Sequence, residues 1–99
     1  MNEQPGPLPS HPLLLAEGTA RDNIVLYHQS DPVLWGQLRP VLDDLQAGVR
    51  PFMTTTYATR PTRYYVQLPV PGRDQVCVLG WVVPKGHLPV IAACKLMNP

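Results

Sequence analysis

The sequence has little charge, few cysteines and no long apolar run, and each scarcity argues against a class of protein. Asp, Glu, Lys and Arg make up 15% of its 99 residues and leave a net charge of +1, so no strong overall field favours nucleic acid. Two cysteines are too few for a disulfide scaffold. No apolar run reaches the length that crosses a bilayer. We therefore expect no membrane partner and, by default, a cytoplasmic location.

The sequence also lacks catalytic signatures and metal-binding spacings. It has no glycine-rich phosphate loop, no Gly-x-Ser-x-Gly turn and no His-Glu-x-x-His pair. Asp43 and Asp44 are adjacent on a predicted helix, so they should point in different directions on a solvated face. Cys77 and Cys94 supply too few ligands for zinc and should pack as buried thiols. We expect no metal, no cofactor and a function that is not enzymatic.

Proline is abundant, above all near the N-terminus. The chain has 13 prolines, with Pro5, Pro7, Pro9 and Pro12 close together. We expect residues 1–20 to form a flexible, proline-rich tail and residues 21–99 to form a single α+β domain. The N-terminus lacks the basic region and apolar segment of a signal peptide.

The first half of the domain should be mainly helical. The segment 30–32, Ser-Asp-Pro, is typical of a helix start, apolar residues then recur at helical spacing as far as Leu45, and Gly48 should end the helix. Pro40 predicts a kink or a division into two short helices. Asn23–His28 is short and rich in β-forming residues, which predicts a strand before the helix.

The second half predicts an antiparallel meander. Phe52–Ala58 suits an edge strand, and Thr62–Val70 alternates between apolar and polar residues. Gln75–Val83 is apolar at almost every position, which is typical of a central strand buried on both faces. Leu88–Leu96 fits a final strand or a short helix, and Val90-Ile91 favour the strand. The fold class is α+β, with one kinked helix or two short helices on an antiparallel sheet of about three to five strands.

One helical layer would leave the second face of this sheet uncovered, and an exposed apolar patch of that size is unusual in a monomer. The leucines at 13–15, a second copy of the chain or another protein would have to cover it. The first hypothesis is a small non-catalytic regulator or inhibitor, bacterial or from a phage, that binds a protein partner or forms a homodimer. Docking would use Leu79 and Trp81 on the sheet face, or Thr55 and Tyr57 at the edge.

Arginine and tyrosine cluster between residues 50 and 65, which gives a second hypothesis. Arginines beside aromatic rings can bind phosphates and stack on bases, although the same composition describes an ordinary edge hairpin. A histidine before the helix or in the last turn would carry protons in an RNA-cleaving version. The candidate nucleic-acid residues are Arg50, Arg60, Arg63, Tyr64, Tyr65 and His28, with His87 as the other proton carrier.

The order of strand, helical segment and antiparallel meander, with arginine and tyrosine on the meander, resembles that of the small ParE/RelE toxins of bacterial toxin–antitoxin pairs. This resemblance implies an RNA-binding protein or a ribonuclease toxin. It carries no motif, so no catalytic residue is transferred from it. A third alternative is a pocket for a small ligand between helix and sheet, whose chemistry the sequence does not define.

Overall fold

The computed structural model describes residues 4–98 and contains two helices packed on a six-stranded sheet. The elements are β1 (Gly6–Leu8), β2 (His11–Ala16), α1 (Gly18–Ser30), α2 (Pro32–Gln46), β3 (Thr55–Tyr57), β4 (Arg63–Pro69), β5 (Val76–Val82) and β6 (Val90–Met97). The strand order is β1-β2-β6-β5-β4-β3. The α+β class is confirmed, but the predicted sheet of about three to five antiparallel strands is wrong. The sheet is mixed, because β2 runs parallel to β6.

The N-terminal segment differs from the flexible tail predicted over residues 1–20, of which residues 1–3 lie outside the described chain. β1 and β2 form an antiparallel hairpin at one edge of the sheet. Leu8 and Leu14 are buried in the core, whereas Leu13 and Leu15 are 69% and 37% exposed. Pro7 fits because β1 is an edge strand, and Pro12 lies outside the part of β2 that pairs with β6. Burying leucine stabilises the docked hairpin. Strand pairing thus extends the folded domain to the N-terminal side of residue 21.

Helix α1 occupies the segment for which Asn23–His28 predicted a strand, so that prediction is wrong. Ala20, Ile24 and Tyr27 are spaced by four and three residues, which places them on one side of a helix. Ala20 and Ile24 are buried, and Tyr27 packs against the core. The β-branched residues dominate a short window of sequence, whereas the helical spacing is visible only over a longer one.

Helix α2 begins and ends where the sequence predicts. Asp31 caps it by accepting a hydrogen bond from the Leu34 N–H at 3.2 Å, and Pro32 is its first residue. Gly48 follows the helix with a φ of 74°, the left-handed conformation that ends many helices. Pro40 lies inside one continuous helix, so the predicted division at this residue is wrong. The second helix of the fold is α1 instead.

Strands β3 to β6 form the predicted antiparallel run. The ambiguous segment Leu88–Leu96 contributes to β6, which confirms the strand and excludes the short helix. β3 is shorter than predicted, because Phe52 and Met53 lie in the preceding turn and are largely exposed. It is the outer strand at the edge opposite β1.

One face of the sheet and the two helices enclose the core. Along β5, Cys77, Leu79 and Trp81 are buried, and the residues between them are only half-buried. Cys77 and Cys94 are free buried thiols with 3.9 Å between their sulfur atoms, as the sequence predicts. Their shared hydrogen bond and burial raise the pKa of Cys94 above its ordinary value. Because buried and half-buried residues alternate along β5, this central strand is not buried equally on its two faces.

Candidate protein-interaction face

The face of the sheet that points away from the core is lined by the alternate residues of β3 to β6, and we call it the open face. Strand register places these side chains side by side, because paired residues of adjacent strands point to the same face. No helix within residues 4–98 buries them, and each is half-buried or exposed. The open face includes Thr55, Tyr57, Arg63, Tyr65, Gln67, Val76, Val78, Gly80, Val82, Ala93, Lys95 and Met97.

A shallow hollow of about 390 Å³ lies at the middle of the open face. Gly80 forms part of its floor between Tyr65 and Ala93, its partners on the neighbouring strands. Because glycine has no side chain, the floor is lower here than at Val78 and Val82, which stand on either side along β5. The hollow is mainly apolar and open, which suits an inserted apolar side chain rather than a catalytic centre.

Two tyrosines stack at the β3 end of the open face. The ring centroids of Tyr57 and Tyr65 are 5.1 Å apart with an interplanar angle of 22°, a favourable offset arrangement. Tyr57 is 56% exposed. The neighbouring Tyr65 hydroxyl raises the pKa of Tyr57 above its ordinary value, so this phenol is uncharged at neutral pH. The pair forms a large, amphipathic and neutral contact surface.

The open face carries positive charge only. Arg63 pairs in register with Val82, and Lys95 pairs with Val78. Neither cation forms an ion pair with a carboxylate of the described residues. Those carboxylates lie in the helices, at their N-caps or in the loop between β4 and β5: Glu17, Asp22, Asp31, Asp43, Asp44 and Asp74. The face is thus apolar at its centre and basic nearby.

Two of the predicted partner-binding residues are buried. Leu79 and Trp81 are 0% and 3% exposed and belong to the core, so the exposed position that the docking hypothesis requires of them is wrong. Their alternation with half-buried residues along β5 places them under the helices. Thr55 and Tyr57 are exposed on the edge strand, where a strand-addition partner would bind. The sequence-based list of partner-binding residues omits Val78 and Gly80, although the same alternation places them on the open face.

The predicted nucleic-acid residues are divided between separate surfaces. Arg63 and Tyr65 lie on the open face, whereas Tyr64 stacks on buried Trp81 with 6.1 Å between ring centroids. The Arg50 guanidinium lies 5.0 Å from the Tyr64 ring centroid, so these two form a group on the core side of the sheet. Arg60 is exposed in the turn before β4.

His28 lies away from this arginine and tyrosine group. Its Nε2 is 3.5 Å from the Ser10 hydroxyl, and its ring is 4.5 Å from that of Trp35. Ser10 belongs to the turn between β1 and β2, at the sheet edge opposite β3. His28 is thus not positioned to act as a proton carrier beside Arg63. His87 lies in the turn between β5 and β6, on the side of Arg50.

A buried histidine is a feature that the sequence did not reveal. His11, expected in the flexible tail, is 3% exposed, and its Nε2 is 2.6 Å from Oδ1 of Asp43. The Asp43 side chain remains 57% exposed, as expected for a solvated face, but it also fixes β2 to α2. The Nδ1 atom of His11 is buried and has no hydrogen-bond partner within the described chain. This pair joins β2 to α2, away from the open face.

Metal and membrane sites receive no support from the described residues. Within residues 4–98, no group of three or more His, Cys, Asp or Glu side chains is close enough to hold a metal ion. Neither α1 nor α2 has the length and hydrophobicity of a membrane-spanning helix. No protein-family model matches the chain, and no curated protein or solved structure matches it.

Proposed function

We propose that this protein is a small cytoplasmic regulator or inhibitor that acts without catalysis, by binding another protein through the open face. The supporting observation is the asymmetry of the sheet, which has both helices on one face and an apolar, basic surface on the other. The partner that fits presents apolar side chains flanked by carboxylates. An apolar group would enter the hollow at Gly80, and carboxylates would pair with Arg63 and Lys95.

The apolar centre of the open face supports a protein partner. Val78, Val82 and Met97 are aliphatic, and they lie next to the hollow. Aliphatic side chains give a protein contact the hydrophobic stabilisation that follows from buried apolar area. The stacked tyrosines extend the surface with the residue type that is enriched at interface centres. The whole surface is formed by paired strands, so little ordering is needed on binding.

The charge of the open face favours a different protein over a second copy. In a symmetric dimer the same patch meets itself, so Arg63 and Lys95 of one copy would approach cations of the other. Like charges that face each other across an interface are unfavourable, and the open face contains no carboxylate that would neutralise them. A partner with its own carboxylates removes this repulsion.

Single-stranded RNA is a second candidate, favoured by the tyrosine pair beside Arg63. Exposed aromatic rings on a sheet can stack on bases, and arginine can bind phosphate. However, Tyr57 and Tyr65 already stack on each other, which leaves fewer ring surfaces for bases. The ribonuclease-toxin version, suggested by resemblance to the ParE/RelE toxins, has less support because His28 lies at the other edge of the sheet.

The test compares two matched charge substitutions. Val78→Glu places a carboxylate in the open face, whereas Val33→Glu places one at an exposed position of α2, in the opposite layer. The immobilised wild-type protein captures a partner from its native lysate, and the purified partner is titrated against both variants. We expect Val78→Glu to weaken binding by about tenfold or more and Val33→Glu to leave the affinity unchanged. Hydrogen exchange of the complex should protect β4 to β6.

Three other outcomes would overturn the proposal. Equal binding by both variants would place the interface elsewhere. A wild-type dimer in light scattering that Val78→Glu converts to a monomer would assign the open face to a second copy. Salt-sensitive binding of oligouridine that Tyr65→Ala abolishes would favour RNA.

A further inference from the structure

A second concave site lies on the core side of the sheet, at the C-terminal end of α2. The cavity has a volume of about 280 Å³. Its floor is Tyr64 and Trp81, which stack on each other at 6.1 Å. One wall is the segment 48–50 that follows α2, and the other is the segment 87–89 in the turn between β5 and β6. Three regions that are distant in sequence therefore meet at this cavity, separately from the open face proposed above.

The positions of the walls follow from the local backbone. Gly48 has a φ of 74°, which turns the chain out of α2. A Cβ atom at this glycine would lie 3.9 Å from Cδ2 of Leu88, so the end of α2 packs against the turn between β5 and β6. Arg50 follows within two residues, with its guanidinium 5.0 Å from the Tyr64 ring centroid. That ring attracts the cation and holds it at the edge of the cavity.

The lining has cationic and donor groups but no acid. Arg50 forms no ion pair and makes no side-chain hydrogen bond with the described residues. His87 is among the lining residues of the same cavity, and an imidazole can donate a hydrogen bond. Within residues 4–98, no Asp or Glu lines the cavity, and the remaining walls are apolar, at Leu45, Val49 and Val83. The Arg50 guanidinium can bind an anionic group, and the apolar lining can bind the apolar body of the same ligand.

We propose that this cavity binds a small organic monocarboxylate with an aromatic or branched apolar body. The carboxylate would pair with the Arg50 guanidinium and accept a hydrogen bond from His87, while the apolar part would lie against Val49, Val83 and the exposed part of Tyr64. The volume is just below the range of about 300–1,000 Å³ that is usual for ligand pockets, so a compact ligand fits best. This site does not depend on the function proposed for the open face.

The test uses phenylacetate as the probe and phenylacetamide as its uncharged analogue. The two indole N–H resonances are followed in ¹H–¹⁵N spectra, because Trp81 lies in the cavity floor and Trp35 packs near His28, away from the cavity. We expect phenylacetate to shift the Trp81 resonance in a saturable manner with a Kd of about 1 mM or below. The Trp35 resonance should not move, and phenylacetamide should bind at least about tenfold more weakly.

A pair of arginine variants separates a specific site from general charge attraction. Arg50→Gln removes the cation at the cavity, and Arg60→Gln removes one from an exposed turn. Both side chains are exposed, so both variants should fold. We expect Arg50→Gln to weaken phenylacetate binding by about tenfold and Arg60→Gln to have no effect. Equal affinity for phenylacetate and phenylacetamide, unchanged binding by Arg50→Gln, or no saturable shift of Trp81 would each overturn the proposal.

Discussion

Arg73 and Asp31 form a bidentate ion pair between the turn after β4 and the start of α2. Both guanidinium N–H groups donate to the carboxylate at 2.7 Å. The same carboxylate caps the helix through the Leu34 N–H. These hydrogen bonds, chiefly those from Arg73, lower the pKa of Asp31 below its ordinary value. The Asp31 side chain thus caps α2, pairs with a cation and attaches the start of α2 to the turn after β4.

The first prediction is a pH dependence of stability from Asp31. Because its pKa is lower in the folded than in the unfolded state, its contribution is fully present above the unfolded pKa of about 3.9. It is lost as the pH falls through the folded pKa. In urea titrations, Asp31→Asn should be less stable than wild type at neutral pH, and this difference should shrink below about pH 4. Asp22→Asn, which removes an exposed carboxylate from α1, is the matched control and should cost less stability at neutral pH.

The second prediction concerns Leu79, which the sequence suggested as a docking residue and the structure buries completely. Leu79→Ala should lower the free energy of unfolding by about 2–5 kcal/mol, because it removes buried methyl groups and leaves a cavity. Val78→Ala, at the adjacent half-buried position, should cost clearly less. Denaturant titration measures both. A Leu79→Ala variant of wild-type stability that loses a binding partner would instead place this side chain at an interface.

The third prediction compares two glycines, of which Gly72 has a positive φ and Gly80 does not. A Cβ atom at Gly80 would lie 3.6 Å from both Cβ of Ala93 and the Tyr64 carbonyl oxygen, ordinary contact distances. Gly80→Ala should therefore raise stability by about 0.5–1 kcal/mol, because glycine inside a strand has an entropic cost. Gly72 has a φ of 77°, so Gly72→Ala should destabilise the fold. Thermal unfolding should separate the two variants by opposite shifts, and shifts of the same sign would contradict the prediction.

Local signals explain which elements could be predicted from the sequence. Helix α2 begins after the capping residue Asp31 and ends before Gly48, so residues at each boundary signal it directly. The alternation along β4 and β5 likewise indicates which residues share a face. The β-branched residues at 24–25 favour a strand in a short window of sequence. The spacing of Ala20, Ile24 and Tyr27 indicates the apolar stripe of α1 only over a longer window.

Pairing between distant segments explains what could not be predicted. The parallel pairing of β2 with β6 joins Leu15 to Val90, and no local pattern encodes the choice between this contact and a free tail. The sequence indicates an uncovered sheet face, but the prediction places Leu79 and Trp81 on that face, whereas the structure buries both under the helices. Two helices cover the face to which these residues point, so the uncovered face is the one that contains Val78.

The last prediction concerns the His11 and Asp43 pair, which joins the N-terminal hairpin to α2. Asp43→Ala would leave the buried imidazole N–H without its acceptor at 2.6 Å, and we expect a loss of about 1–3 kcal/mol in the free energy of unfolding. Asp44→Ala is the matched control, because the neighbouring carboxylate makes no hydrogen bond with the described residues. It should cost clearly less.

A double-mutant cycle separates this hydrogen bond from packing. His11→Phe removes both imidazole nitrogens, including the buried Nδ1 that has no partner, while it keeps a ring in the site. In that background, Asp43→Ala should cost much less than it does alone, because no N–H remains to be left unpaired. Urea titrations of the four proteins give the coupling energy. Additive losses would mean that the 2.6 Å contact does not stabilise the fold and that β2 is held to α2 by apolar packing alone.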